Sequence, residues 1–325
     1  MASNKRRYVA YGVAVVLSWL FVRQAEWRVL FNALRSVSWV VLGAAIGVRL
    51  LALVVASMRW QVLLNPVRRV PLSRALAAMM MGMAVNTVVS MQAAELVRPQ
   101  LLSRWQDLDV STTLATVAVE WVLDLLAVIA LFIPSLWLMP QAGGDQSGVR
   151  SSHVQAAIAL LLASLCGLGA LWYLPGRGDR LRTWIRHAGA LPERARERLA
   201  DEVQRFVVGL RILARPTSLA TVAAYSLLVA VLTAISAWLA LIAFGLPLSF
   251  LSAFLVLGLI SLGGLIPTPG AVGGFHAVCQ VGLVAWWGID PARTVLPVIG
   301  LHAVLYVPAA AIGAVCFWAM RGGLW

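Results

Sequence analysis

Two carboxylates, Glu120 and Asp124, lie four residues apart in an otherwise apolar segment that reads VEWVLDLL. In an α-helix this spacing puts both side chains on one face, one turn apart. Charged side chains at membrane depth are costly, and they generally face a bundle interior or a cavity where they find partners. Arg49 and Arg98 are the arginines available at similar depth.

These four charged residues admit two interpretations. In a functional polar path, Arg98 or Arg49 holds an anionic headgroup while the carboxylates handle a proton or a cationic group. In a structural interpretation, the same residues form ion pairs that pin helices together. Two acids and a basic motif broken by proline lie close in sequence, which favours the functional interpretation.

An interrupted apolar segment, NTVVSMQAAELVRP at residues 86–99, supplies further candidates. A break in the helical backbone at bilayer depth leaves N–H and C=O groups that lipid cannot satisfy. Such a break persists only where protein or a wet cavity surrounds it. The segment therefore predicts a binding or translocation site that includes Asn86, Glu95 and Arg98.

A second interrupted segment, GGLIPTPGAVGGFH at residues 263–276, has the same character. Prolines remove backbone donors and glycines permit tight turns; the residues concerned are Pro267, Pro269, Gly270, Gly273 and Gly274. A half-helix that starts near Gly273 would direct free N–H groups at an anion such as phosphate. His276 could bind that phosphate or carry a proton. The alternatives are an ordinary Pro/Gly loop and a hydrogen-bonded structural histidine.

Composition sets the class of the protein. The chain has 61% hydrophobic and 12% charged residues and a mean hydropathy of +0.86. Crossing a hydrocarbon core of about 30 Å takes about 20 apolar residues. We predict an all-α polytopic membrane protein with six full crossings, at residues 8–22, 38–64, 111–139, 153–174, 217–244 and 295–319.

Charge counting orients these spans. Residues 175–216 hold ten arginines, and residues 59–74 add four more with no acid, so both segments should be cytoplasmic. The two interrupted stretches cover residues 72–102 and 250–288. A single span at the first stretch would put the ten-arginine segment outside, whereas a re-entrant hairpin keeps both basic segments inside, so we predict a hairpin there. For the second stretch, a re-entrant hairpin and a double crossing give the same sidedness. We expect both termini in the cytoplasm of a bacterium and the spans in its inner membrane.

The assignment predicts an internal symmetry within a single membrane domain. Residues 1–140 and 150–325 each contain a span, a span, an interrupted pair and a span. Each half crosses an odd number of times, so the halves have opposite orientation, and an inverted repeat places a substrate site near the midplane. Residues 175–216 are predicted to form a basic amphipathic helix on an anionic membrane surface. The alternative is a connector with one packed face.

Four motifs in order carry a family resemblance: MRW at residues 58–60, AAELVRP at 93–99, VEWVLDLL at 119–126 and IPTPGAVGG at 266–274. The chain resembles, over nearly its whole length, the flippase-like transmembrane domain of lysylphosphatidylglycerol synthases. The resemblance implies flipping or handling of a charged-headgroup lipid: a phospholipid, a polyprenyl-phosphate-linked lipid or a hopanoid.

The sequence departs from that family at three positions. Ala94 stands where relatives usually carry Gly, Trp121 where they carry Arg, and His276 where they carry Glu. An imidazole in place of a carboxylate could change headgroup preference. The soluble aminoacyl-transferase domain of the synthases is not found in this sequence, so lysyl transfer by this chain alone is not expected.

Other functional classes have less support. The net charge of +13 lies mostly between spans, where it sets orientation, so no nucleic acid is expected as a partner. No paired-Asp metal motif, HExxH or P-loop is present, and we expect no metal or cofactor. The alternatives are a membrane-embedded transferase and an accessory subunit that presents lipid to biosynthetic enzymes. Membrane lipids are the expected partners, and the oligomeric state stays open.

Overall fold

The computed structural model of the chain describes residues 34–89, 91–138, 161–162, 164–187, 192–210, 213, 216–246, 248–266 and 268–321. Within those residues the fold is all-α, without a β-strand. Ten α-helices have both ends defined there: α1 (Trp39–Leu64), α2 (Leu72–Val88), α3 (Met91–Gln106), α4 (Val110–Leu138), α5 (Gly178–His187), α6 (Glu193–Gly209), α7 (Pro216–Ala243), α8 (Ser252–Leu265), α9 (Gly274–Trp287) and α10 (Pro291–Arg321).

Four of these helices, α1, α4, α7 and α10, are long and apolar enough to cross a membrane. They correspond to four of the six predicted spans, and α10 begins four residues earlier than expected, at Pro291. The predicted span at residues 8–22 lies outside the described residues, as does most of the first half of the span at residues 153–174. In the second half, residues 164–173 are helical. The chain is therefore an all-α membrane protein.

The first interrupted stretch folds as two helices, α2 and α3, which we call the first hairpin. Near its turn, a Cβ placed on Gly82 would lie 3.3 Å from the Ala94 carbonyl oxygen. Near its open end, the Arg74 guanidinium donates to the Trp105 carbonyl at 2.6 Å. The start of α2 thus faces the end of α3, and the two helices run antiparallel.

The open end of the first hairpin lies where α1 ends and α4 begins. The Ser103 hydroxyl of α3 lies 2.6 Å from the Thr113 hydroxyl of α4. Leu64 of α1 and Leu102 of α3 are buried in one apolar cluster with Ala115 of α4. Both ends of the hairpin therefore return to the same end of the bundle.

The second interrupted stretch forms a second hairpin from α8 and α9. A Cβ on Gly263 would lie 2.8 Å from the Phe275 Cα, next to the turn. Gly258 of α8 packs against the ring of Phe132, which is near the far end of α4. Leu255 and Trp286 contact Phe132 in the same cluster. The open end of the second hairpin therefore lies at the opposite end of the bundle from that of the first.

The turns of the two hairpins meet inside the bundle. A Cβ on Gly270 would lie 3.3 Å from the Thr87 carbonyl oxygen at the end of α2. We call this contact region, residues 86–89 and 268–273, the tip junction. It lies beside the antiparallel pair α1 and α7, in which the Ser236 hydroxyl donates to the Ala45 carbonyl at 2.8 Å.

The basic segment packs on the end of the bundle that holds the open end of the first hairpin. In α6, Ala200 and Val207 are buried, and the Thr112 hydroxyl of α4 donates to the Arg205 carbonyl at 2.9 Å. The apolar face of α6 is thus used in packing, as the connector alternative requires. Contact of this segment with an anionic membrane surface stays a prediction.

Close packing between α10 and the first hairpin depends on a glycine. A Cβ on Gly313 would overlap the backbone carbonyl group of Met80, and backbone atoms cannot move away as a flexible side chain can. Small residues of this kind let membrane helices approach closely where no hydrophobic force joins them.

We expect Gly313→Ala to lower the free energy of unfolding by about 1–3 kcal/mol because it overpacks this interface. Thermal unfolding in detergent micelles measures the change. Gly47→Ala is the matched control, since a Cβ at Gly47 meets nothing within 4 Å. Equal melting temperatures for the two variants would contradict the packing described here.

Candidate functional site

The candidate site is centred on the Glu120 carboxylate, which is completely buried in α4. Its Oε1 accepts a hydrogen bond from Arg59 Nη2 at 3.3 Å, and its Oε2 lies 2.8 Å from Arg98 Nη2. Arg59 belongs to α1 and Arg98 to α3. A single carboxylate therefore connects two membrane-spanning helices and the first hairpin.

Two further carboxylates flank these arginines. Arg59 Nη2 donates to Asp124 Oδ2 at 3.0 Å, and Arg98 forms an ion pair with Glu95, one turn away on α3. Arg59 Nη1 also donates to the Ser226 hydroxyl of α7 at 2.8 Å. We call the five charged residues the ionic cluster: Arg59, Glu95, Arg98, Glu120 and Asp124.

The ionic cluster has more negative than positive groups. Two guanidiniums and three carboxylates give a formal sum of −1. The side chains of Arg59 and Glu120 are 3% and 0% exposed, whereas that of Asp124 is 41% exposed. Asp124 is thus the most exposed carboxylate of this cluster, ahead of Glu95 at 24%.

The indole ring of Trp60 also contacts Arg98, the arginine that the first hairpin contributes to the ionic cluster. The Arg98 guanidinium carbon lies 5.2 Å from the centroid of the Trp60 ring, within the range of a cation–π contact. The completely buried Trp60 indole donates to the Thr116 hydroxyl of α4 at 3.0 Å. Arg98 is therefore fixed by two carboxylates and an aromatic face.

The assignment of Arg59 to a cytoplasmic basic segment is wrong. Arg59 lies within α1, five residues before its end, and is buried. Charge counting treats each arginine near a span end as solvated and cannot detect one that is paired at depth. The signal that could have found it is the apolar sequence on both sides of Arg59, together with the unpaired acids of VEWVLDLL.

The second hairpin contributes a different set of groups at the tip junction. His302 of α10 lies with Nε2 at 2.8 Å from the Gly270 carbonyl, and since a carbonyl only accepts, this nitrogen carries the hydrogen. The Gly273 N–H donates to His276 Nδ1 at 3.3 Å. The two imidazole rings lie 4.7 Å apart, and Tyr306 lies 4.7 Å beyond His302.

Glycine has a defined role at two positions of this turn. Gly270 and Gly273 adopt φ angles of 60° and 85°, in the left-handed region that glycine enters without steric cost. Ala271 also adopts a positive φ, 57°, which costs about 1–2 kcal/mol for a residue with a Cβ. Pro269 starts a short 3₁₀ helix, Pro269–Ala271, and Pro267 lies outside the described residues.

His276 is the third residue of α9 and accepts a hydrogen bond from the residue that precedes the helix. A Glu or Gln at this position of a helix commonly accepts the same bond. A Cβ on Gly274, the first residue of α9, would lie 2.8 Å from the Ile266 Cβ. His276 and Gly274 therefore fix the start of α9, whatever else His276 does.

Arg49 lies apart from the ionic cluster. It precedes Arg59 by ten residues on α1, which is about 15 Å along a helix axis. Its Nε donates to the Leu305 carbonyl at 3.1 Å, and its Nη1 to the Thr233 hydroxyl at 3.4 Å. Among the described residues no carboxylate lies within ion-pair distance of Arg49.

The candidate residues are thus divided between two places. Glu95, Arg98, Glu120 and Asp124 meet in the ionic cluster, joined by Arg59, which sequence reasoning did not select. The rest of the candidates that the structure describes lie at or next to the tip junction: Arg49, Asn86, Pro269, Gly270, Gly273, Gly274 and His276. Over the described residues, no group of three or more His, Cys, Asp or Glu side chains is placed to hold a metal ion.

Comparison with known proteins gives a family match. The model of the family described as the lysylphosphatidylglycerol synthase TM region matches residues 8–313, which is most of the chain. A search of curated proteins found no match.

The ionic cluster predicts a strongly non-additive pair of substitutions. Glu120→Gln removes the buried carboxylate that Arg59 and Arg98 share and leaves each of these buried arginines with one partly exposed acid, so the free energy of unfolding should fall by about 3 kcal/mol or more. Arg98→Gln should also destabilise, and the double variant should lose at least about 1 kcal/mol less than the sum of the two single losses. Unfolding of the purified protein in mixed micelles measures all three.

Glu197→Gln provides the matched control for the loss of one carboxylate. Glu197 is exposed on α6, so this variant should stay within about 0.5 kcal/mol of the original chain. Additive losses for Glu120→Gln and Arg98→Gln would show that the two charges are not coupled.

Proposed function

Since the chain belongs to the lysylphosphatidylglycerol synthase transmembrane family, we propose that it is a flippase-like protein for lipids. In this proposal it moves a lipid with a charged headgroup across the bacterial cytoplasmic membrane, or presents that lipid to a biosynthetic enzyme. Phospholipids, polyprenyl-phosphate-linked lipids and hopanoid lipids are the candidate substrates.

The observation that carries the proposal is the meeting of two broken hairpins inside the bundle. They extend from opposite ends, and Gly270 of one turn contacts Thr87 of the other. In membrane transporters, broken helices that meet in this way place the substrate site near the midplane, with gates on either side. Movement of either hairpin would open the tip junction toward its own side of the membrane.

The packing of the long helices agrees with an inverted repeat of residues 1–140 and 150–325. α1 and α7, the corresponding spans of the two halves, pack against each other in antiparallel orientation. The first helix of each hairpin packs on the last span of the other half, α2 on α10 and α8 on α4. An exchange of this kind between halves is what a two-fold axis in the membrane plane would produce.

The ionic cluster has a definite part in this proposal. It joins α3 of the first hairpin to α1 and α4 through Glu120, and Asp124 leaves one carboxylate accessible. Protonation or binding of a cationic group at Asp124 would release Arg59 to pair with Glu120 alone. That change would alter the ion pair between Glu120 and Arg98, and with it the position of the first hairpin.

Both basic segments lie at the end of the bundle where the first hairpin opens, and we propose that this end faces the cytoplasm. Arg69, before the first hairpin, and Arg104, in the last turn of α3, are exposed there. Ser249 and Asp290, before and after the second hairpin, are exposed at the other end. Both hairpins are then re-entrant, and the C-terminal end of α10 is cytoplasmic, as is the N-terminus.

Translocation should be tested in proteoliposomes with labelled phosphatidylglycerol and labelled polyprenyl phosphate. The unaltered chain should move at least one of them between leaflets. Asp124→Asn and Glu95→Gln should slow that movement by about tenfold or more, because each removes a charge-assisted contact of the ionic cluster. Both carboxylates are partly exposed, so these variants disturb folding less than changes at Glu120.

Glu197→Gln, which removes an exposed carboxylate on α6, should translocate lipid at the unaltered rate. The proposal fails if the unaltered chain moves neither lipid, and the role of the cluster fails if both variants move lipid normally. Formation of a new lipid product in detergent, without leaflet exchange, would favour a membrane-embedded transferase.

Topology gives a separate prediction. In a background with Cys166, Cys279 and Cys316 replaced, a membrane-impermeant thiol reagent outside the cell should label Ser249→Cys and Asp290→Cys. It should not label Arg69→Cys or Arg104→Cys until the cell is opened. Opposite labelling of Arg69→Cys and Arg104→Cys would mean that the first hairpin crosses the membrane.

A further inference from the structure

Arg49 is a cation whose charge is not balanced by an ion pair in the described part of the chain. Within the residues that the structure describes, only two of its five N–H groups have hydrogen-bond acceptors, and both acceptors are neutral: the Leu305 carbonyl and the Thr233 hydroxyl. The arginines of the ionic cluster each contact two carboxylates. The ionic cluster therefore has an excess of negative charge, whereas the region around Arg49 has an excess of positive charge.

The register of α1 and α2 places the tip junction at the level of Arg49. The two helices are joined by a short connection and run antiparallel. Ser57 of α1 contacts Met79 of α2 at 3.7 Å, and Leu50 packs in the same cluster as Met83. One further turn along α2 brings Asn86 level with the turn of α1 that contains Arg49.

Contacts from α10 place the second hairpin at this level as well. Leu305 accepts the hydrogen bond from Arg49, and His302, less than one turn earlier, donates to Gly270. Gly270 in turn contacts Thr87 of α2. Arg49, the end of α2 and the turn before α9 therefore surround one small region.

Two polar side chains in this region are buried without a hydrogen-bond partner in the described part of the chain. Asn86 is 0% exposed, and neither its Nδ2 nor its Oδ1 has such a partner there. Thr268 is 1% exposed, and its Oγ1 has none among the same residues. Leaving such a group unsatisfied costs about 1–3 kcal/mol. Three unsatisfied atoms beside an unbalanced cation indicate the position of a ligand.

The groups that are present select an anion. Asn86 and Thr268 both supply donors, and α9 begins a few residues away at Gly274 with the positive end of its dipole toward the turn. His276 Nδ1 accepts from the Gly273 N–H, and His302 Nε2 donates to the Gly270 carbonyl, so neither of these contacts adds a negative group. Among the described residues, this level of the bundle has donors and one positive charge but no carboxylate in a salt bridge with it.

We propose that Arg49, Asn86 and Thr268 bind the oxyanion of a phosphate ester at the tip junction. This inference rests on the proposed function, in which that phosphate is the headgroup of the lipid being handled. The ionic cluster, about 15 Å away along α1, does not take the phosphate, since its guanidiniums are already neutralised. Instead its formal charge of −1 suits a proton or a cationic group.

Binding should be measured by calorimetry on the full chain in a non-ionic detergent. The probes are short-chain phosphatidylglycerol, inorganic phosphate, and short-chain diacylglycerol as a phosphate-free lipid. The unaltered chain should bind phosphatidylglycerol and not diacylglycerol. Binding of inorganic phosphate with similar affinity would identify a free phosphate as the ligand, whereas much weaker binding would identify a lipid headgroup.

Arg49→Gln should weaken phosphatidylglycerol binding about tenfold or more because it removes a charge-assisted contact. Arg49→Lys, which keeps the charge, should retain more of the affinity. Arg293→Gln is the matched control: Arg293 is exposed at the start of α10, and this variant should bind normally. Binding that Arg49→Gln leaves unchanged, or that Arg293→Gln weakens equally, overturns the proposal.

Asn86→Leu distinguishes a ligand contact from a structural one. Replacing a buried, unpartnered amide with an apolar side chain of similar size should raise the melting temperature of the ligand-free protein. The same variant should weaken phosphatidylglycerol binding. A variant that is less stable yet binds normally would show that Asn86 serves the fold and not the ligand.

These measurements separate the site from the transport function. If phosphatidylglycerol binding depends on Arg49 but proteoliposomes show no leaflet exchange, the anion site stands and the flippase proposal fails. If exchange occurs while the unaltered chain binds none of the phosphate probes, or binds them independently of Arg49, the function stands and the site is wrong.

Discussion

The architecture depends on keeping the Glu120 carboxylate paired where it is completely buried. Alone, that charge would be prohibitive in a low-dielectric interior, because ion desolvation costs several kcal/mol even after relaxation. Two arginines from different helices offset the cost, and each needs a second acid of its own. One buried carboxylate thus constrains the positions of α1, α3, α4 and, through Ser226, α7. In a membrane, apolar contacts between helices add little stability because the lipid tails are equally apolar. A polar centre of this kind therefore determines which helices pack together.

A second constraint acts on the backbone. Neither hairpin crosses the bundle as one continuous helix, so the polar backbone groups at each turn need hydrogen-bond partners outside the regular helical pattern. The second turn satisfies part of this need internally, through His276 at the start of α9 and His302 at Gly270. The first turn brings Asn86 to the same place, where its amide has no hydrogen-bond partner among the described residues. The two constraints act together, since the ionic cluster fixes α3 and so fixes where the turn of the first hairpin lies.

The sequence was sufficient to predict the membrane class, the long helices that the structure describes, an interruption in each of the two stretches and the shared face of Glu120 and Asp124. The expected break of the basic motif at Pro99 is wrong, because Pro99 lies inside α3 and the interruption falls between Val88 and Met91. These features follow from composition and from periodicity within a single helix. The partners of each charge did not follow, because spacing along one helix defines a face and not the helix that packs against it. Arg59 shows this: its position near the end of an apolar run suited a basic loop, and only the packing of α1 against α4 reveals it as a partner for two acids. The contact between Gly270 and Thr87 could not be predicted from the sequence for the same reason.

The division of charge between the two polar sites suggests how they could act together. Both arginines of the ionic cluster are already paired with carboxylates. Binding an anion there would therefore break an existing ion pair in a low-dielectric environment. At Arg49, by contrast, an anion would compensate a half-buried charge and would satisfy donors that have no partner among the described residues. Binding energy is therefore available at the tip junction, while the cluster that positions the first hairpin responds to protons or cations. A ligand that bears both a phosphate and a positive group, or a phosphate accompanied by a proton, would engage both sites at once. The rigid helix α1, which carries Arg49 and Arg59, would then connect occupancy of the junction to the position of the hairpin that closes it.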